Sequence, residues 1–376
     1  MPSRLLGSSG RLRPRRFEIT PVADTVGEFH DFAPYVPAIN DAGTVAFQAT
    51  LRGGMSGVFI GGSERVPAIL GMAAGPYASI CSHPDIDASG GIVCYADLAA
   101  GGRAVVVAAD GRAETLALDA GPLGPTINAH GLVAFRTERA GASAEIQVAH
   151  GEVVTRIAST GDRFSAFHGL PVINRSGGVA FRADLTGGGS AICMTGEAPL
   201  VAVAETGSTF ESLGQFPVLA DDGLVGIVAR LVNGSSGVFV LSGDDIETVL
   251  DTTGAFESFR GVLLAGDGSV VFYGTPRGGE LGIFSGPDPS HDRILGIGAP
   301  LFGSTVVEFA LNPVSINGAG RLAIRVMLAD DRQWILRADP VGSSARRGSG
   351  TMRRARRLPP GPRETSQSRP KLQAPT

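Results

Sequence analysis

The chain has 376 residues, 43% of them hydrophobic, which is material for one large core or two to three ordinary domains. Its three cysteines are too few and odd in number for a disulfide framework, and no Cys-x-x-Cys pair or Cys/His cluster has zinc-site spacing, so neither a metal nor a cofactor is expected. The formal charge of −4 is unevenly spread, with 18 basic and 35 acidic residues over 17–340 and basic ends, and no apolar run reaches the roughly 18 residues that would suggest a membrane helix.

In chain order, residues 1–16 carry five Arg and no acid, show no apolar period, and are expected to form a disordered basic tail. They contain no apolar h-region and do not read as a signal peptide. A cytoplasmic location is expected, with secretion as the alternative if the true start lies upstream and carries a signal. Phe17–Phe29, "FEITPVADTVGEF", shares its layout with Val153–Phe164, "VVTRIASTGDRF", and reads as an outer strand followed by a crossover. From Ile39 one unit then recurs: "INDAGTVAF" (Ile39), "IDASGGIVCY" (Ile86), "INAHGLVAF" (Ile127), "INRSGGVAF" (Ile173), "LADDGLVGI" (Leu219), "LAGDGSVVF" (Leu264) and "INGAGRLAI" (Ile316). The turn glycines Gly43, Gly90, Gly131, Gly177, Gly223, Gly268 and Gly320 are spaced by 47, 41, 46, 46, 45 and 52 residues. That period, with short alternating segments and no capped 3.6-residue pattern, fits a four-stranded propeller blade and not a helical solenoid.

The fourth unit shows the parts. Pro171–Asn174 is a short inner strand, and Gly177 lets the chain turn with positive φ. In the next strand Val179, Phe181 and Ala183 alternate with Ala180, Arg182 and Asp184. A Gly-rich hairpin, "AICMTG" and "PLVAVAETG" supply the third and fourth strands, and "TGSTFESLGQFP" crosses to the next unit. The seventh unit, "VSINGAGRLAIRVMLADDRQWILRADP", has only three strands. The Phe17 strand is therefore predicted to complete it and close the ring, which hides edges that would otherwise pair between molecules. The predicted fold is an all-β, seven-bladed propeller of four-stranded blades over 17–340. Residues 341–376 follow as an Arg/Pro/Ser-rich disordered tail, and its patch "RRGSGTMRRARR" (Arg346–Arg357) has no interleaved aromatics, so at most weak, non-specific nucleic-acid contact is expected from the basic tails.

The pattern Asn-x-x-Gly-x-x-Ala-Phe stands complete at Asn40–Phe47, Asn128–Phe135 and Asn174–Phe181, and Gly-Val-Phe stands at Gly57–Phe59 and Gly237–Phe239. In this the chain resembles bacterial NxxGxxAF tandem-repeat (choice-of-anchor) proteins with a propeller-like repeat domain. The resemblance covers roughly 17–340 and implies architecture, with no established activity to carry over. Members of that family often bear secretion signals and C-terminal surface anchors; this sequence shows neither an h-region nor a C-terminal apolar anchor.

The polar residues preceding the turn glycines, Asn40, Asp87, Asn128, Asn174, Asp221, Asp267 and Asn317, are expected to bond the backbone two residues on and start each turn. "DIDASGG" (Asp85–Gly91) alternates oxygen ligands like a calcium loop, but its twelfth position is Ala96 instead of Glu. The crossover aromatics, such as Phe164 and Phe167 or Phe256 and Phe259, are expected to wedge between blades. His83, His168, Arg260 and Asn312 precede inner strands at similar places and would gather at one mouth of the axial channel, as candidate ligand-face residues. Catalytic residues are not assigned: GxSxG, HExxH and P-loop patterns do not occur. The expected function is that of a non-enzymatic binding or scaffold protein presenting one face of a disc to a protein or small-molecule ligand, as a monomer. The alternative is a hydrolase or lyase at the axial mouth.

Overall fold

In a computed structural model describing residues 4–6, 10–32, 34–61, 68–71, 76–196 and 199–341, every repeated unit becomes the same hairpin. The residue three before each turn glycine accepts that glycine's N–H, and its own N–H donates to the carbonyl one residue beyond the glycine. All seven glycines have φ between +72° and +93°, a region that costs a side chain strain and glycine almost nothing. These bonds fix which residues are equivalent, and they correct two expectations. In units five and six the position of Asn40 is held by Ala220 and Ala265, whose carbonyls accept from Gly223 and Gly268. Asp221 and Asp267 sit one and two residues further on. Asp267 accepts from the Ser269 N–H at 3.0 Å, while Asp221 accepts from the Arg175 N–H on the preceding blade.

The hairpins assemble into seven antiparallel sheets, the blades. Blade four is typical: Phe164–Ile173, Val179–Leu185, Ser190–Met194 and Val201–Glu205 pair in sequence order. The crossover residues Phe164–Gly169 are themselves strand and join the inner segment through a register shift between His168 and Val172. Alternation then fills the seams. Val179, Phe181, Ala183, Phe164 and Phe167 share one buried cluster with Ala134, Ile146 and Ala158 of blade three. Phe256, Phe259, Phe272 and Phe284 of blade six cluster likewise with Val218 and Val238 of blade five. The aromatics thus occupy the space between blades, where each widening seam needs bulk.

The ring closes as a mixed blade. Phe17–Asp24 pairs antiparallel with Gln333–Pro340, Phe17 opposite Pro340 and Asp24 opposite Trp334, and so supplies the outer strand of blade seven. Residues 1–16, expected as a disordered tail, are in part engaged with the disc. Arg4–Leu6 runs parallel to Asp245–Glu247 on the edge of blade five. The Val270 N–H donates to Arg11 O at 3.1 Å, Leu12 lies against the core of blades five to seven, and Arg13 and Arg15 reach Asp267 at 2.8 and 2.7 Å. Arg11 pairs with Glu247. The reason lies outside the segment: an acidic disc offers carboxylates, and a strand edge offers backbone partners, to an Arg-rich arm. Of the expected C-terminal tail 341–376, residues 342–376 lie outside the described residues, as do 1–3 and 7–9 of the N-terminal one.

Candidate functional site

The residue just before the repeated Asn position is Ile39, Ile86, Ile127, Ile173, Leu219, Leu264 and Ile316 in blades one to seven. These seven side chains ring the axis and form the wall of a well of about 180 Å³ that opens at the Asn-loop face. Val172 and Val314 also line the well and share a cluster with Ile86 and Leu170 across the axis, which gives it an apolar floor. The well's wall is held by the Asn residues. Each Oδ1 accepts N–H groups of its own turn, as Asn174 does from Gly178 at 2.8 Å. Each Nδ2 donates sideways to the equivalent carbonyl of the next blade: Asn40 to Asp87 O at 2.9 Å, Asn128 to Asn174 O at 2.9 Å, Asn174 to Ala220 O at 3.1 Å. Asn317 to Asn40 O at 2.8 Å carries the same link over the ring closure. The side chains thus join neighbouring blades as well as starting turns.

Blade two departs from this. Asp87 has no donor; its Oδ1 accepts from Ser89 N–H and Gly91 N–H, both at 2.8 Å. The link to blade three is made instead by Asp85, whose Oδ2 accepts from Ile127 N–H at 2.7 Å while Oδ1 accepts from Ile86 N–H at 2.8 Å. Asp85 is buried in the wall of the well, and burial pushes its carboxyl up to about 7 against the pull of those two N–H groups. Three of the four carboxylate oxygens in the calcium-like stretch Asp85–Gly91 in this way accept backbone N–H groups, and Asp87 Oδ1 also accepts from Ser89 Oγ.

The residue just after the Asn position forms the mouth. In four blades it is small, Ala88, Ala129, Gly266 and Gly318; in the other three it is Asp41, Arg175 and Asp221. Arg175 of blade four receives Asp221 of blade five on its N–H at 2.8 Å and on Nε at 3.4 Å. Its Nη2 donates to Asp41 of blade one, on the other side of the ring, so the guanidinium lies across the mouth. Asp41 Oδ1 in turn accepts from Gly318 N–H of blade seven at 3.0 Å. All three side chains are about half exposed, at 50%, 48% and 53% for Arg175, Asp41 and Asp221.

Of the residues singled out for the other mouth, His83, His168 and Asn312 are engaged within or next to their own blade. His83 is buried with Nδ1 3.2 Å from Pro84 O, and Nε2 faces Gly124 of the next blade so closely that a β-carbon there would sit 2.4 Å away. Burial pushes its imidazole down to about 4. His168 bonds Asp184 at 2.7 Å on the neighbouring strand, and Arg182 reaches the same carboxylate at 3.3 Å. Asn312 caps the 3₁₀ turn Pro313–Ser315, accepting from Val314 N–H at 3.1 Å, and Arg260 is exposed on the inner strand of blade six. Among the described contacts these four do not bond one another.

Sequence reasoning passed over Arg175 and Asp41. The signal was present: a repeated position carries shared geometry, whereas the position beside it varies from Gly to Arg and is free to carry something else.

Residues 98–334 match a family of unknown function, DUF7453, and the chain belongs to that family. No curated protein matches it in sequence. Among solved structures it is similar to an oligogalacturonate lyase from Vibrio parahaemolyticus, with 8% identity over 86% of this chain and 97% of the other and a TM-score of 0.50. It is also similar to a Mycobacterium tuberculosis puromycin-hydrolyzing peptidase, with 13% identity over 87% of this chain, about half (52%) of the other, and a TM-score of 0.50. The N-terminal domain of Nup159 aligns with 10% identity over 89% and 99% at a TM-score of 0.41. At these identities the likeness is one of fold.

Proposed function

We propose that this member of the DUF7453 family is a non-enzymatic binding protein that uses the Asn-loop face of its disc, with the axial well as the centre of the site. The observation that carries the reading is how the polar groups of the well are used. Asp85 spends both oxygens on backbone N–H groups, Thr126 Oγ1 donates to Pro171 O at 2.9 Å, and the Asn side chains tie blade to blade. What remains to meet a ligand is an aliphatic wall and three charged side chains at the rim, which suits recognition better than proton transfer. All seven blades of one chain complete the well, so a single copy suffices. The finer kinship with NxxGxxAF tandem-repeat proteins rests on Asn40–Phe47, Asn128–Phe135 and Asn174–Phe181 and supports the same architecture without adding an activity.

The test is a thermal-shift screen of the full chain against sugars, nucleotides, metals, amines and carboxylic acids, run in parallel on Ala88→Trp and Ala129→Trp. Both positions line the mouth without belonging to the core. A ligand of this site raises the melting temperature of the wild type by mass action and loses that effect in both Trp variants. Ligands that act equally on all three proteins would place binding elsewhere.

The hydrolase or lyase alternative has one observation in its favour, the half-exposed His168–Asp184 pair at 2.7 Å. A carboxylate that orients an imidazole is the arrangement of a general base. Turnover of any substrate that is abolished by His168→Ala and untouched by Ala88→Trp would favour it.

A further inference from the structure

Resting on the binding-face reading, we infer that the ligand of the axial well is an aliphatic stem ended by a guanidinium or ammonium group. Asp41 and Asp221 would hold the cation, and Arg175 is the tethered occupant that it displaces. Three observations converge on this chemistry. The first is the wall: a ring of seven Ile and Leu side chains fits a flexible hydrocarbon, and the polar side chains set among them, Asp85, Thr126 and the Asn residues, are already bonded to backbone. The second is the rim, where two carboxylates stand against one guanidinium. An incoming anion has to compete with two anions for one cation, whereas an incoming cation completes a rim that carries a net −1. The disc behind it adds the same sign, at −17 over residues 17–340, and a field of that sign raises the local concentration of cations.

The third observation is Arg175 itself. A guanidinium on an aliphatic stem already lies over the well, clamped from blade five and from blade one. Its two ion pairs are half exposed, and pairs of that kind hold weakly in water, so the lid can be exchanged for a ligand with the same end group. The free ligand gains what Arg175 cannot reach: its stem can enter the apolar well, while the Arg175 backbone is fixed at the rim by the bond from its N–H to Asp221 and by the bond its carbonyl accepts from Asn128 Nδ2 at 3.3 Å.

The same chemistry occurs in a free small amine and in the side chain of a polypeptide, and the test separates them. Calorimetric titration of the full chain uses n-butylguanidinium, n-butyrate, and a capped Gly-Gly-Arg-Gly-Gly peptide. The expected result is binding of n-butylguanidinium and none of n-butyrate. If the lid leaves the well open about a tenth of the time, Arg175→Ala tightens binding up to about tenfold. Asp41→Asn removes a charge-assisted bond and weakens it by about tenfold or more. Arg175→Lys keeps a tethered cation and should bind no tighter than the wild type, which separates relief of competition from a change in folding; circular dichroism melts confirm the fold of each variant. A peptide that binds tighter than n-butylguanidinium assigns the natural source to a polypeptide, and a weaker one to a small amine. Binding of n-butyrate, or unchanged affinity in both Arg175→Ala and Asp41→Asn, or no binding of either cation to wild type and Arg175→Ala, overturns the inference. Should another ligand then bind in a manner blocked by Ala88→Trp, the binding face stands and only the cation chemistry falls.

Discussion

Replacing Asn174 by Asp isolates the sideways bond that ties one blade to the next. Asn174 is buried, at 7% exposure; its Oδ1 accepts from Gly178 N–H at 2.8 Å and from Ser176 Oγ at 2.9 Å, and its Nδ2 donates to Ala220 O at 3.1 Å. Aspartate keeps the acceptor and loses the donor, so the turn survives while a carboxylate oxygen is set against a carbonyl oxygen. The Ala220 carbonyl retains the Gly223 N–H at 3.1 Å, so the lost bond itself is worth about 1 kcal/mol. Burial of the charge adds about 1.4 kcal/mol for each unit by which the new carboxyl is raised, and one to two units give a total of about 2–4 kcal/mol at pH 7. A carboxyl raised in the folded state contributes stability that is present below its unfolded value near 3.9 and lost as pH rises through the folded value. The deficit relative to wild type should therefore largely disappear near pH 4, where the acid is protonated and can donate to Ala220 O again. Asn174→Ala, which loses all three side-chain bonds, should show a deficit that does not move with pH. Guanidinium chloride midpoints at both pH values read the difference. An Asp variant as stable as wild type at pH 7, or one whose deficit is the same at both, would show that the sideways bond contributes nothing. Asp87→Asn is the reciprocal experiment: it restores a donor facing Asn128 O and should stabilise by up to about 1 kcal/mol.

Removing residues 1–24 takes away the outer strand of blade seven, and the truncated chain is expected to aggregate or to lose cooperative unfolding; melting like the full chain would refute the closure argument. Gly177→Val forces a β-branched residue to φ +88°, with Leu132 3.3 Å from the new β-carbon, and should lower stability by about 1–3 kcal/mol in denaturant titration. His83 and Asp85 pull against each other in acid. With its imidazole at about 4, below the ordinary 6.5, His83 makes stability fall as pH drops from 6.5 to 4, by up to about 3 kcal/mol. Asp85, pushed up to about 7 from 3.8, makes stability rise over the same interval. Melting temperature against pH should therefore fall on acidification in Asp85→Asn and rise in His83→Gln, and parallel profiles for the two variants would contradict the assignment.

Much of this architecture was legible in the sequence because it is local and repeated. A turn glycine and an alternating strand state their geometry within nine residues, and seven copies state the ring. The missing fourth strand of "INGAGRLAI…" and the orphan strand at Phe17 pointed to each other for the same reason. What stayed hidden depends on a neighbour. Asn174 shows its turn in "INRSGG", but its bond to Ala220 exists only once blade five is in place. Asp221 and Asp267 stand beside turn glycines and pass for Asn equivalents until the turn bonds show Ala220 and Ala265 in that role. Arg13 and Arg15 look like tail composition because Asp267 lies some 250 positions away, and Arg175 looks like a turn residue because Asp41 is three blades off. The charged pairs that shape the candidate site are all of this second kind.

The pairing of Phe17 with Pro340 also sets an order of events in time. A ribosome extends a chain at about 5–20 residues per second, so the first strand waits about 15–60 s for its partner to emerge. Until then blades one to six can form from contacts within each blade and its neighbour, while residues 17–24 remain an unpaired strand beside an incomplete ring. The last step joins segments at maximal separation along the chain, which is the slowest kind of contact to find. Residues 17–24 are thus made well before their partner strand and are among the last to fold, and the interval between the two is when the molecule is most exposed to pairing with another copy of itself.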